Sequence, residues 1–136
     1  MRASVPLLYT LRQMDELKIE SRAGAYPGVR IIHLEGPFVL QDVFEFQSTV
    51  RRGNDPITII DVTEVPFMDS AALGAVMALH TSCQRQQRKY ALAGPSERLR
   101  TLFDVAGVST LLVTYPTLAE AQEKLSASQG IAKPAP

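Results

Sequence analysis

The run Ile57–Asp61 (ITIID) constrains this chain more than any other stretch. It is short, continuously apolar and rich in isoleucine, and Gly53-Asn54-Asp55-Pro56 precedes it. Such a run reads as a strand in the buried middle of a sheet. A short turn containing Pro66 follows, and then the pattern changes at Asp69-Ser70. Ala71, Ala72, Leu73, Ala75, Met77, Ala78 and Leu79 all favour helix. A buried strand feeding a helix is the repeating unit of an α/β fold, so the remaining segments must supply the sheet around it.

They do so in order. Leu17–Ala23 alternates, with Leu17, Ile19 and Ser21 on one side and Lys18, Glu20 and Arg22 on the other. Gly24–Gly28 is a turn, and Val29–Glu35 is a second strand, which makes the first pair a hairpin. Gly36-Pro37 breaks the chain. Val39–Arg52 then reads as a helix, with Leu40, Val43, Phe44, Phe46 and Val50 near helical spacing. Basic residues, Gly53 and Pro56 end it. After the helix at Ser70 and a basic exit, Lys89–Ala93 returns as a strand. Pro95-Ser96-Glu97 opens another helix, which carries Leu99, Leu102, Phe103 and Ala106. Leu111–Thr114 is a short last strand, and Thr117–Glu120 is a capping-box pattern that opens a final helix to about Ser126. The order is β-β-α-β-α-β-α-β-α, an α/β chain with a mixed sheet. Residues 16–126 form the domain. Residues 1–15 are an N-terminal extension, or Val5–Leu11 adds an edge strand and a route to a homodimer. Residues 127–136, with Gly130, Pro134 and Pro136, read as a disordered tail.

Composition removes several function classes. The 136 residues, 46% hydrophobic, suit one globular domain. Fourteen Lys and Arg balance fourteen Asp and Glu, so no strong field exists to recruit nucleic acid or an acidic membrane. Cys83 is the one cysteine and can form no intramolecular disulfide. No apolar run approaches the roughly 20 residues of a membrane span. The stretch MRASVPLLYT has too short an apolar run for a signal peptide. A cytoplasmic protein is expected.

Chemistry concentrates at the junction before the second helix. Asp69 and Ser70 are both good N-cap residues. A helix start also carries unpaired N–H groups and partial positive charge, so a phosphate on Ser70 would meet favourable amides there. It would bring roughly −1.5 to −2 charges next to Asp69. The local pattern leaves both readings open, a cap or a modification site. Catalysis has little support. His80 lies ten residues further along the helix, roughly 15 Å away, too far for a Ser–His pair. No G-x-S-x-G elbow, P-loop or dinucleotide fingerprint occurs, and no Cys/His cluster has metal-ligand spacing. Asp61 ends a strand as a receiver's phosphoacceptor would, but Val113–Pro116 supplies no lysine after the last strand. Asp61 is expected instead to fix its turn by accepting backbone N–H bonds. His33 is expected to be structural or partly exposed. No enzyme activity, cofactor or metal is expected.

The segment Asp61-Val62-Thr63-Glu64-Val65-Pro66-Phe67-Met68-Asp69-Ser70-Ala71-Ala72-Leu73-Gly74 resembles the central motif of the STAS family, in particular the bacterial anti-sigma factor antagonists. Gln87–Gly94 is similar to the family's next strand, and Ser96–Ala106 with Gly107-Val108 to its following helix. The resemblance covers roughly residues 16–126. It implies a STAS fold, with helices mainly on one face of the sheet. It also implies a non-enzymatic switch that binds an anti-sigma factor serine kinase and so frees a sigma factor. By the same resemblance, Ser70 is the phosphorylated residue, and a phosphatase resets the switch. Thr63, Glu64, Phe67, Met68, Asp69, Ser70, Ala71 and Leu73 are the implied partner-binding residues. The chain departs from the pattern in two places. Ala71-Ala72 stand where many members have Ser-Gly, and Val39 stands where an Asp is frequent. The alternative is a STAS scaffold module that is not phosphorylated, in a stress-signalling complex or beside a transporter.

Overall fold

The computed structural model describes residues 16–131. Five strands form one sheet in the order β1 (Lys18–Ala23), β2 (Val29–Glu35), β3 (Ile57–Glu64), β4 (Lys89–Ala93) and β5 (Thr114–Tyr115). β1 and β2 pair antiparallel as the expected hairpin, and every later neighbour is parallel. Helices α1 (Val43–Arg51), α2 (Ser70–Gln86), α3 (Glu97–Val105) and α4 (Leu118–Ser128) follow β2, β3, β4 and β5 in turn. Parallel neighbours need such crossovers. The order of elements and the mixed sheet are those expected from the sequence.

β3 is central, and its period of two fills both sides of the sheet. Ile60 and Val62 point into a core shared with Ile32, Leu34, Leu92, Phe46 of α1, Val76 and Leu79 of α2, and Leu99 and Phe103 of α3. Ile57 and Ile59 face the other way, beside Val29, Ile31, Ala91 and Ala93, under Ala121 and Leu125 of α4. Three helices therefore cover one face and α4 the other. α4 packs mainly on β3, β4 and β5. The β1–β2 part of its face is correspondingly polar, and Lys18, Glu20, His33 and Glu35 lie on it by strand register.

Four sequence expectations are corrected. Val39–Arg52 is not one helix: a 3₁₀ turn, Leu40–Asp42, precedes α1. Leu40 is 68% and Phe44 80% exposed, so neither belongs to the buried stripe. That stripe is Phe46 and Thr49, flanked by the partly buried Val43 and Val50. The 3₁₀ turn shifts the phase, so a pattern begun at Leu40 does not follow the buried stripe. The last strand is Thr114–Tyr115 rather than Leu111–Thr114. Leu111 is half exposed in a turn whose amide bonds back to Val108, while Leu112 enters the core. α4 runs to Ser128, past the expected end near Ser126, and Ile131 returns onto the second core with its amide on the Ser126 carbonyl. The expected edge strand at Val5–Leu11 and the rest of the proposed tail lie outside the described residues.

Candidate functional site

Two loops at the C-terminal ends of β2 and β3 build the site, and they are zipped together by backbone bonds. The Gly36 amide donates to the Glu64 carbonyl at 2.9 Å, Phe38 to Phe67 at 3.1 Å, and Asp69 donates back to Phe38 at 3.2 Å. Phe38 and Met68 form an isolated parallel bridge. Both side chains are buried, and the Phe38 ring sits 4.9 Å from that of Phe46. The linker before Ser70 is therefore an ordered extension of the sheet.

Asp69 locks the junction with both carboxylate oxygens. Oδ1 accepts from the Ala72 amide at 2.9 Å as the N-cap of α2, and Oδ2 accepts from the Leu40 amide at 2.9 Å across the loop pair. The cap position thus belongs to Asp69. Ser70 is the first residue of a 17-residue helix and is exposed. Its hydroxyl stands at the positive end of the helix dipole.

The expected partner-binding residues separate into two layers. Thr63, Glu64, Phe67 and Ser70 are exposed, and Asp69 and Ala71 are half-buried. Met68 and Leu73 are core residues, 5% and 8% exposed, and support the surface from beneath. The structure adds three neighbours that the sequence pattern did not mark. The Arg98 guanidinium of α3 lies 5.6 Å above the Phe67 ring centroid, a cation–π placement. Leu40 is tied to Asp69 through its amide, and Phe44 lies one helical turn further on.

Asp61 fixes its turn as expected: Oδ1 accepts from the Thr63 amide at 3.1 Å and the Thr63 hydroxyl at 2.6 Å. Its second oxygen takes part in a contact that the sequence did not reveal. His33 lies opposite Asp61 in the β2–β3 ladder, and its Nδ1 is 2.9 Å from Asp61 Oδ2. Its Nε2 is 3.0 Å from Glu64 Oε2. Burial opposes charge on the imidazole, but the hydrogen bonds and charges of Asp61 and Glu64 outweigh it, so the His33 pKa is raised. Burial likewise opposes the Asp61 carboxylate, yet the bonds from Thr63 and His33 outweigh it and hold its pKa below the usual range. The Glu35 carboxylate lies within 4.8 Å of the His33 and Glu64 polar atoms. It has its own cation, Lys18 Nζ at 3.7 Å, and the imidazole engages both of its nitrogens with Asp61 and Glu64.

His80 is remote from this chemistry. Its Nδ1 lies within hydrogen-bond distance of the Tyr90 hydroxyl, at 2.8 Å, and that oxygen also receives the Val113 amide. Cys83 is buried, and burial pushes its thiol up.

The STAS domain model matches residues 21–121, which include every strand from β2 to β5 and the whole junction. The chain belongs to the STAS domain family. An anti-sigma-B factor antagonist from Listeria monocytogenes is 40% identical over 53 residues, 39% of this chain. The match spans 46% of that relative, a little under half its length. Solved STAS structures share the fold at low identity. The anti-sigma factor antagonist SpoIIAA in its unphosphorylated form superposes with a TM-score of 0.64 at 19% identity, over 86% of this chain and 99% of that one. Its Bacillus counterpart in the phosphorylated form gives 0.58 at 19%, over 79% and 99%. The murine anion transporter Slc26a9 gives 0.73 at 16%, over 91% of this chain and 24% of the transporter. Among the described residues no helix is long and apolar enough to cross a membrane.

Proposed function

We propose that this STAS domain is an anti-sigma factor antagonist, and that its surface around Ser70 docks on an anti-sigma factor serine kinase and so frees a sigma factor. The observation that carries the reading is the division of labour at the junction. Asp69 holds the helix cap, and Ser70 presents an exposed hydroxyl beside it. Phosphorylation can then change the surface without removing a bond that holds the fold. The docking surface comprises Thr63, Glu64, Phe67 and Ser70, extended by Leu40, Phe44 and Arg98. Met68 and Leu73 keep it in shape. A phosphate on Ser70 adds charge and bulk to a contact that is desolvated in the complex, so the partner leaves. A phosphatase returns the binding form. The role is binding rather than catalysis.

Mass spectrometry on protein isolated from its own cells, together with incubation of purified protein with ATP and the cognate kinase, tests this. Phosphate is expected on Ser70 and absent from Ser70→Ala. Ser70→Asp is expected to weaken partner binding on the order of tenfold or more, about 1.4 kcal/mol. An unmodified Ser70 under every condition, with a partner still copurifying, overturns the switch. The likeness to the transporter's STAS domain supports a second reading, a scaffold module of a transporter or stress-signalling complex. On that reading Ser70→Asp keeps full binding.

A further inference from the structure

Acceptors flank His33 on both ring nitrogens. A carboxylate donates nothing, so Asp61 Oδ2 and Glu64 Oε2 can both be satisfied only if the imidazole carries two N–H groups. The other charged groups around it sharpen the requirement. Asp61 and Glu64 approach from β3, Glu35 from β2 itself, and Glu20 stands opposite His33 on β1. Lys18 and Arg22 share that face of β1 by strand register, and Lys18 is engaged by Glu35. A cation on the ring is held by an excess of carboxylates.

The two bonds are not equivalent. Asp61 is 6% exposed, and Thr63 occupies its other oxygen, so losing the imidazole N–H would strand a buried acceptor. The Glu64 side chain is 55% exposed and can turn to water. When the ring holds a single proton, that proton stays on Nδ1 facing Asp61, and Nε2 becomes an acceptor facing Glu64. Two acceptors then oppose each other, and the exposed one moves.

We propose that His33 is a proton-operated clamp on the docking surface: as imidazolium it ties Glu64 to the sheet, and as neutral imidazole it keeps Asp61 and releases Glu64. Glu64 is the last residue of β3, its carbonyl receives the Gly36 amide that zips the two loops, and the segment to Ser70 begins immediately after it. Release therefore frees a carboxylate within the surface formed by Thr63, Glu64 and Phe67. It also raises the net negative charge of the cluster by one. Below the transition the surface presents a neutralised, fixed Glu64. Above it the surface presents a mobile anion, which disfavours an acidic partner face. The regulatory meaning rests on the docking reading above, whereas the clamp itself does not.

An NMR titration of the full chain in the presence of EDTA tests the clamp without any partner. The His33 ring signals are expected to titrate with a midpoint above about 6.5, the ordinary histidine value. The backbone amides of Glu64, Val65 and Phe67 are expected to move with that same midpoint. In Glu64→Gln the His33 midpoint is expected to fall, and the loop amides to stop following it. His80, bonded to Tyr90, provides the second histidine signal, assigned by its loss in His80→Gln. A His33 midpoint at or below 6.5 in the wild type overturns the proposal. So do loop amides that stay flat through the His33 transition. Failure here leaves Ser70 phosphorylation untouched, and failure of Ser70 phosphorylation leaves this titration unchanged.

Discussion

Asp69 holds two segments with one side chain, and that makes it the residue most sensitive to small changes. Truncation in Asp69→Ala removes the cap on Ala72 and the tether to Leu40. A loss of about 1–2 kcal/mol is expected in urea unfolding. Asp69→Asn has one acceptor oxygen, so it is expected to recover roughly half of that loss by keeping the cap alone. If the Asn variant is no better than Ala, the second bond rather than the cap dominates. Gly94 offers a contrasting case. Its φ is +70°, and an added Cβ would run into the Thr63 hydroxyl. Gly94→Ala therefore combines left-handed strain of about 1–2 kcal/mol with a displaced Thr63. Because Thr63 holds Asp61, the variant is expected to lower the urea midpoint and to shift the His33 ring signals together.

At the scale of elements, α1 shows how a helix can be read correctly and faced wrongly. Its existence follows from apolar periodicity and from the stop at Gly53 and Pro56. Its buried face depends on where the α-helix begins, and the 3₁₀ turn before Val43 moves that origin. Phe46 is 1% exposed and Phe44 80%, two positions apart in the sequence. Phe46→Ala is expected to destabilise by about 3–5 kcal/mol, because it empties a core site against Phe38. Phe44→Ala is expected to stay within about 0.5 kcal/mol of wild type in the same urea measurement. Equal losses for the two would mean that the helix rotates in solution. β3 was easier to read. A continuous apolar run has few options other than burial on both sides, although its extension to Glu64 comes from pairing with β2 rather than from hydrophobicity.

For the whole molecule, the coupled pair His33–Asp61 makes stability depend on pH with a definite sign. The folded state raises the His33 pKa, so that contribution is fully present below about 6.5 and is lost as the pH rises through the folded value. The folded state lowers the Asp61 pKa, so its contribution is present above about 3.9 and is lost as the pH falls through the folded value. The stability gap between wild type and His33→Gln is therefore expected to be widest between about pH 4 and 6.5, on the order of 1 kcal/mol, and to narrow in alkali. Urea midpoints measured across pH 4–9 in EDTA check this. A constant gap would mean that His33 acts through packing and not through charge.

The sequence by itself determined the order of elements, the hairpin, the buried central strand and the strand-to-helix junction at Asp69-Ser70. Each of these is written in neighbouring residues: periodicity, a capping side chain, a Gly or a Pro. The role of Asp61 at its turn was legible for the same reason, since its partner is Thr63, two residues away. Only the tertiary structure decided which of Asp69 and Ser70 caps the helix, because Asp69 is also fixed by Leu40, far away in the chain. It alone placed Met68 and Leu73 beneath the surface, Arg98 over Phe67, and His33 between Asp61 and Glu64. Those placements depend on the register of parallel strands and on helix phase. Register joins residues some thirty positions apart, and no local pattern in the chain carries that information.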